Sequence, residues 1–404
     1  MGQKRLTYIL NARLPIEKAH GYQAVKMCEA FARAGLAVVL LHPRRHQPPA
    51  LAGVSVFEHY RLAPIFTVRE TANIDIVRLF EGWLPRFFYM FFYVAQSFVW
   101  SVSAIFRIRH IGTDVYYCRD ILIAWLLVVC GFPVVYEEHA LPTRRTAVLL
   151  RMMARRPACA LVVVVTPFIG ERLRSLGFSS ARILVAPDAF DAEAFARLPD
   201  RHICREMSGL PRDAIVIGYV GRFRVFGDKE KGIPELIAAV GSFASRNPRA
   251  VALLVGGPAD AIPSYRQHAA RCGLPPDRLI FIPQVPVTEA PLLMRACDMV
   301  VIPWPWTDFS AYATSPLKLF EYMASGTPII ATALPSLTRI LEDGVTAVLV
   351  EPGNSSALAR GISRIAEDPS FAAALGRRAQ AAVRPHTWTN RAVRIISALA
   401  AATS

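Results

Sequence analysis

A rhythm that runs through this chain twice limits its fold more than any other property. Short apolar runs alternate with amphipathic segments, and the alternation restarts past the middle. In the first half TYILNA, AVVLLHP, DVYYCRD, PVVYEEH and ALVVVVT read as strands. They lack polar alternation, as expected of strands covered on both faces. KAHGYQAVKMCEAFARAG, between the first two, reads as an amphipathic helix, so the chain opens as a βαβ unit. In the second half AIVIGYVG, AVALLVGG, LIFIPQV, MVVIPW, PIIATA and AVLVEP are strand-like, and GIPELIAAVGSFASR, APLLMRAC, SPLKLFEYMASG and LTRILEDG are helix-like. Such alternation predicts an α/β chain with parallel, doubly wound sheets. At roughly 100–200 residues per domain, 404 residues hold two of them. The polar, turn-rich stretch Pro187–Arg212 separates the halves, and Trp388–Ala401 reads as one more helix. The expected domains are therefore 1–195 and 196–384, followed by a terminal helix in 385–404.

Composition removes several classes. Hydrophobic residues make up 53% and charged residues 19%, which excludes disorder as a description of the whole chain. Seven cysteines are an odd, scattered set without a CxxC pair or zinc spacing. They read as buried small hydrophobes in a reducing compartment. The opening MGQKRLTYIL has neither the apolar run and cleavage site of a secretory signal nor the Ser or Thr at the sixth position that N-myristoylation needs. The expectation is a chain that begins here, in the cytoplasm. The net charge of +15, mostly arginine, fits either genome composition or attraction to anionic partners. No zinc finger, RRM signature or basic-aromatic tract accompanies it, so nucleic acid is not an expected partner.

Phe87–Phe106 stands apart, with twenty residues free of charge between Arg86 and the pair Arg107 and Arg109. It is long enough to span a membrane. It also contains Gln96, Ser97, Ser101 and Ser103 and is rich in aromatics, a composition suited to an interface. A span would put the flanking strands on opposite sides of a bilayer, which one sheet does not allow. A buried or groove-lining helix is preferred, an interfacial contact comes second and a span last.

The stretch Ala313–Gly326, ATSPLKLFEYMASG, carries the most chemistry. Ser315 suits an N-cap and Pro316 the first helical position. The amides of Leu317 and Lys318 would then lack intrahelical partners at the positive end of a helix dipole. That is an anion site, and Lys318 adds a charge to it. Glu321 follows on the same face, where a carboxylate can accept from a vicinal diol. Phosphate and diol together describe a nucleotide, although an ordinary capped helix with a Lys–Glu pair fits this segment equally well. In GYVGRFRVFGDKEKGIPELI, a strand leads to Gly221-Arg222 and a polar loop leads to Lys231-Gly232 at a helix start. Ligands of open α/β sheets bind at this strand edge, and two fixed cations there can stabilise a departing diphosphate. Solvated loop charges are the alternative, favoured for Arg224 and Lys229. The spacing of Gly218, Gly221, Gly227 and Gly232 does not match the dinucleotide fingerprint, which speaks against a dehydrogenase.

These motifs appear together in the order seen in one family. YVGR…KG, LLVGG, FIPQVP, ACDMVVIPW, SPLKLFEYMASGTPIIAT and DGVTAVLVEPGN, with EKAHG, VYYCRD and PVVYEEH in the first half, resemble the GT-B glycosyltransferases of family 4 over nearly the whole chain. The resemblance implies two Rossmann-like domains facing a central cleft, with the last helix packing back on the first domain. It implies a retaining glycosyltransferase of the hexosyltransferase type. The sugar would pass from a nucleotide-diphosphate-sugar to a glycan or lipid-linked acceptor, in cell-surface polysaccharide or glycoconjugate biosynthesis. Carried over by position, Arg222 and Lys231 hold the diphosphate and stabilise the leaving group. Gly21, Ser315, Pro316, Leu317 and Lys318 cradle the phosphates. Glu321 takes the ribose, Gln284, Val285 and Pro286 pack on the base, and His139 lies beside the donor sugar. Glu137 and Glu138 are candidates to orient sugar or acceptor, and His139 also reads as a structural histidine. His20, beside Gly21, has a weaker claim to a contact.

One position departs from the family: Ala313 stands where the first Glu of the Glu-x7-Glu motif belongs. Its loss puts the donor-sugar contacts in question. No Asp-x-Asp loop is present, so the resemblance implies neither a metal nor a cofactor, the nucleotide-sugar being a substrate. An epimerase or hydrolase of the same fold and a non-catalytic nucleotide-binding subunit are the alternatives. The basic, aromatic region 78–109 suggests peripheral contact with the cytoplasmic face of the inner membrane.

Overall fold

The computed structural model describes residues 3–75, 86–109, 111–225 and 229–403. It divides into two units, Met1–Pro187 with Trp388–Ser404, and Asp188–Thr387. The first crossing lies before the expected 195/196 because the segment after Pro187 is bonded into the second unit. Asp188 N donates to Ser315 Oγ at 2.8 Å, and Phe190 N donates to the His386 carbonyl at 3.1 Å. Phe190 and Phe195 belong to the apolar core of that unit. The second crossing, at Thr387/Trp388, falls where the terminal helix Trp388–Thr403 begins. That helix packs on the helix Ala19–Arg33 and on a strand of the first unit.

The first unit is built on a seven-stranded parallel sheet. Its strands are β1 (Arg5–Ile9), β2 (Ala37–Pro43), β3 (Thr67–Thr71), β4 (Val115–Cys118), β5 (Val134–Glu138), β6 (Cys159–Val164) and β7 (Ile183–Val185). Their order is β3-β2-β1-β4-β5-β6-β7. In the second unit β8 (Ile215–Val220) is followed by a small antiparallel pair, β9 (Arg224–Val225) with β10 (Lys229–Glu230). Then come β11 (Ala250–Val255), β12 (Leu279–Ile282), β13 (Met299–Ile302), β14 (Ile329–Thr332) and β15 (Val348–Val350). They form a six-stranded parallel sheet in the order β12-β11-β8-β13-β14-β15.

The apolar runs are continuous because each strand serves two cores. Along β8, Val216 and Val220 pack into one cluster while Ile217 and Tyr219 pack into the other. Along β11, Leu253 and Val255 alternate in the same way with Ala252 and Leu254. Two strands of the parallel sheets escaped the sequence reading for the opposite reason. β3 (TVRET) and β7 (ILV) are the outer strands of the first sheet and are largely unburied, so they carry little apolar signal. The expected helix LTRILEDG is mostly turns. A short helical turn, Pro335–Thr338, is all that forms, and the chain then reverses around Glu342, whose carbonyl accepts from Val345, Thr346 and Ala347.

The charge-free segment lies in a helix, Arg86–Ile108. One face is buried in the first unit through Gln96, Ser97, Trp100, Ser101, Ala104, Ile105 and Ile108. Trp100 Nε1 donates to Thr71 Oγ1 of β3 at 2.7 Å. Phe91, Val94, Phe98, Val99 and Phe106 are left exposed. By length and composition its Phe91–Ile108 stretch is long and apolar enough to cross a membrane.

In both sheets the strand order reverses at the first strand. β1 has β2 on one side and β4 on the other, and β8 has β11 and β13. The carboxyl ends of these strands are where an open α/β sheet offers a ligand site.

Candidate functional site

In the second unit, β8 ends at Val220 and the chain turns at Gly221, whose φ of +137° suits glycine. A Cβ at Gly221 would stand 2.6 Å from Lys318 Nζ, so the missing side chain is what admits the lysine. Lys318 lies in the first turn of the helix Leu317–Ser325. Its Nζ is buried without a hydrogen-bond partner among the described residues and sits 3.7 Å from the centroid of the Tyr219 ring. Lys231 arrives from the loop before the helix Ile233–Ala244, its Nζ 3.8 Å from the centroid of Trp304. The Lys318 ammonium is 5.9 Å from the same indole. Gly232 makes this approach possible, because a Cβ there would fall 1.8 Å from the Pro303 carbonyl oxygen.

Aromatic faces attract both ammonium groups but do not neutralise them. Burial pushes Lys231 down to about 8. Burial, with Lys231 beside it, holds Lys318 well below the ordinary lysine range, against the opposing pull of Glu321. Glu321, one turn further along the helix, is pushed up to about 7 by burial against the pull of Lys318. No hydrogen bond holds its carboxylate among the described residues. Two buried cations thus share the start of a helix, with a carboxyl poised to accept or donate one turn away. An anion entering there would meet charge, helix dipole and first-turn amides together.

The other expected donor residues spread further. Arg222 follows Gly221, but its side chain is exposed and its carbonyl accepts from the Tyr219 hydroxyl at 2.7 Å. Ser315 does not cap the helix. Pro316 is the N-cap residue, in extended conformation, and the Ser315 hydroxyl is engaged by Asp188 N. Gln284, Val285 and Pro286 form the turn after edge strand β12, with Gln284 and Pro286 exposed and Val285 packed on the core. Ala313 closes a single π-turn, Phe309–Ala313, and is 1% exposed. Among the described residues no cluster of three His, Cys, Asp or Glu side chains could hold a metal.

In the first unit, β1 and β4 end side by side, and Asn11 Nδ2 donates to Asp120 Oδ2 across them at 2.9 Å. Gly21 lies in the first helical turn beyond β1, and the space above it is filled by Ile16 and the Tyr60 hydroxyl. Packing alone therefore requires a glycine there. At the end of β5, Glu137 is fully buried and gathers a network. Its Oε1 accepts from His139 Nε2 at 2.6 Å, Gln23 Nε2 at 2.7 Å and Arg391 Nη2 at 2.8 Å, and its Oε2 accepts from the Tyr117 hydroxyl. Arg119 donates to Gln23 Oε1 and so turns the amide of Gln23 towards Glu137. Burial alone would raise Glu137, but Arg391 and His139 outweigh it and hold the carboxyl well below its usual range. Burial and the neighbouring cations push His20 down to about 4. Glu138 is turned away from this network, accepting from the Tyr136 hydroxyl and from the amides of His139 and Ala140.

Lys231, Lys318, Glu321 and His139 were named from the sequence, whereas Tyr219, Trp304, Gln23, Tyr117 and Arg391, which the structure brings to them, were not. Trp304 ends an apolar strand motif and reads as core, and Arg391 lies in a different stretch of chain from Glu137. Neither leaves a spacing signal.

Residues 214–368 match the family model described as Glycosyl transferases group 1. D-inositol 3-phosphate glycosyltransferase of Actinosynnema mirum is 28% identical over 288 residues, 66% of each chain. 2-Deoxystreptamine glucosyltransferase of Streptomyces kanamyceticus is 30% identical over 198 residues, 48% of each. The chain thus spans about half to two thirds of the length of these curated relatives. Among solved structures, the sucrose-phosphate synthase of Thermosynechococcus elongatus superposes with a TM-score of 0.76 at 20% identity, covering 98% of both chains. Anabaena HepE, solved in complex with UDP-glucose, gives 0.70 at 20% identity over 98% of this chain and 99% of its own. The six-stranded parallel sheet carries the matched residues. Residues 214–368 are thus similar to the glycosyl transferases of group 1, and the chain has the GT-B fold.

Proposed function

We propose that this protein transfers a sugar from a nucleoside diphosphate sugar to a glycan or lipid-linked hydroxyl acceptor, with retention at the anomeric carbon. The observation that carries the reading is the buried, unpartnered ammonium of Lys318 beside Lys231 over Trp304. A buried charge without a partner costs several kcal/mol, of the order of ~3–5 where one member of a pair is missing. A diphosphate supplies the missing charge. Lys231, Lys318 and the amides of Leu317 and Lys318 hold it, and exposed Arg222 closes on it from the loop. The charge on the departing diphosphate grows in the transition state, so these groups stabilise that state more than the bound donor. Glu321 accepts from the ribose diol, the 284–286 segment packs on the base, Ser315 and Pro316 set the path into the helix, and Gly21 and His139 complete the proposed set. The lysines meet the phosphate charge, so the proposal invokes no metal or cofactor. The structural likeness to a protein solved with UDP-glucose supports a nucleotide-sugar donor.

For the acceptor, the exposed aromatic face of the helix Arg86–Ile108, with Arg107 and Arg109 at its end, suits a lipid surface. We place the protein in the cytoplasm, peripheral on the inner membrane, in surface-glycan assembly. Of the expected contact region 78–109, residues 78–85 lie outside the described residues. Buried Ala313 favours one second reading, a subunit that binds the nucleotide and turns nothing over. An epimerase or hydrolase would convert the donor with no acceptor present.

A thermal-shift panel of nucleoside diphosphates and their sugars tests the proposal. A ligand at a hundred times its Kd stabilises the fold by about 2.7 kcal/mol. One base should shift the wild type, and Lys318→Met should lose that shift while the unliganded variant melts no lower than wild type. If no nucleotide shifts the wild type, the assignment of the lysine pair is wrong.

A further inference from the structure

The first unit holds a buried ion network that the proposed transfer leaves unused. Arg391 and Glu137 are 2% and 0% exposed, and their side chains meet at 2.8 Å. The remaining guanidinium nitrogens are also engaged. Nε donates to the Pro187 carbonyl at 2.9 Å, Nη2 also donates to that of Ala186 at 3.2 Å, and Nη1 faces Met27 Sδ at 3.2 Å. Ala186 and Pro187 are the last residues before the chain leaves the first unit, and Arg391 lies in the first turn of the helix that opens on its return at Trp388. One guanidinium therefore ties both crossings to the carboxylate that holds His139.

We propose that Arg391 is a positioning residue for His139, acting through Glu137. The inference rests on the proposed role of His139 in the transfer. An ionised carboxylate can only accept hydrogen bonds, so the imidazole nitrogen facing Glu137 must carry the proton. Nε2 is that nitrogen, at 2.6 Å. The neutral ring then carries its lone pair on Nδ1. Gln23 and Tyr117 also bond Glu137, but they are neutral and do not secure its charge. Arg391 is the cation in direct contact with it. Such supporting partners of a site histidine fix both its tautomer and its ring orientation.

The test is nitrogen-15 NMR of histidine-labelled full-length protein, with the His139 signal assigned by its loss in His139→Gln. The wild type should show the Nε2–H tautomer. Arg391→Lys, which keeps the charge, should retain it, and Arg391→Met should give a tautomer mixture. Should Arg391→Met fail to fold, Glu137→Gln serves instead, because its carboxamide can donate to the ring as well as accept and should also mix the tautomers. Kinetically, Glu137→Gln should lower kcat at least tenfold, with donor KM within about twofold and nucleoside diphosphate affinity unchanged. A wild-type tautomer signal in folded Glu137→Gln and Arg391→Met would overturn the inference, as would a kcat loss matched by lost nucleotide affinity. The NMR result is read without turnover. If the tautomers respond as stated and no sugar is transferred, the positioning stands and the transferase reading falls.

Discussion

Lys318 and Lys231 sit over one indole, and among the described residues no carboxylate is bonded to either. This arrangement sets a pH dependence. Lys231 titrates near 8 in the fold and near 10.5 in an unfolded chain. Between those values the unfolded state binds more protons, so this lysine lets stability rise with pH across that window. A bound diphosphate restores the proton. Nucleotide binding above pH 8 should therefore take up protons, and affinity should fall by up to about tenfold per pH unit. Calorimetry in two buffers of different ionisation enthalpy reads the uptake, and identical apparent enthalpies at pH 9 would contradict it. The lysines and Glu321 were legible in the sequence because a helix start and an i+3 spacing are local. Tyr219 and Trp304 were not, since the rings meet the cations only once β8 and β13 lie side by side. Ser315 illustrates the reverse error. Its type suits a cap, but Pro316 in extended conformation takes that place and Ser315 turns to Asp188 instead.

Elements were legible where they are buried on both faces. β6, with six buried residues in succession, gives a strong signal, and outer strand β3, with one buried residue of five, gives almost none. The run LTRILEDG has helical spacing, yet Asp343-Gly344 turns it before a second turn of helix forms, Gly344 taking a φ of +69°. The helix Arg86–Ile108 inverts the usual distribution, with Gln96, Ser97 and Ser101 inward and Phe91, Phe98 and Phe106 outward. Burying an aromatic side chain is worth about 1.5–3 kcal/mol, and each arginine near an anionic surface about 1 kcal/mol. The wild type should therefore co-sediment with vesicles containing anionic lipid at low salt. The double variant Phe91→Glu, Phe98→Glu should stay in solution with an unchanged melting temperature. Equal sedimentation of the two proteins would remove the lipid surface from the reading of this helix.

For the whole molecule, two successive runs of strand and helix predicted two units, and the structure has two. The first crossing lies before the expected 195/196 because the turn-rich stretch Pro187–Arg212 gives no cue to which side its aromatic residues belong. Phe190 and Phe195 settle that by entering the second core. All the residues of the lysine site, and the family match, fall within Asp188–Thr387. That unit expressed alone should bind the nucleoside diphosphate within about threefold of the full chain while transferring nothing. Loss of binding in a folded isolated unit would show that the first unit supplies essential contacts to the nucleotide. Phe190 and Thr387 form an isolated parallel bridge, so the segment that opens this unit and the one that closes it are neighbours. A short linker can therefore join its two ends into a ring, which lowers the entropy of the unfolded chain without touching the fold. The same closure lets the ring be reopened at an exposed loop, so that nucleotide capture can be built into another protein at a site of choice.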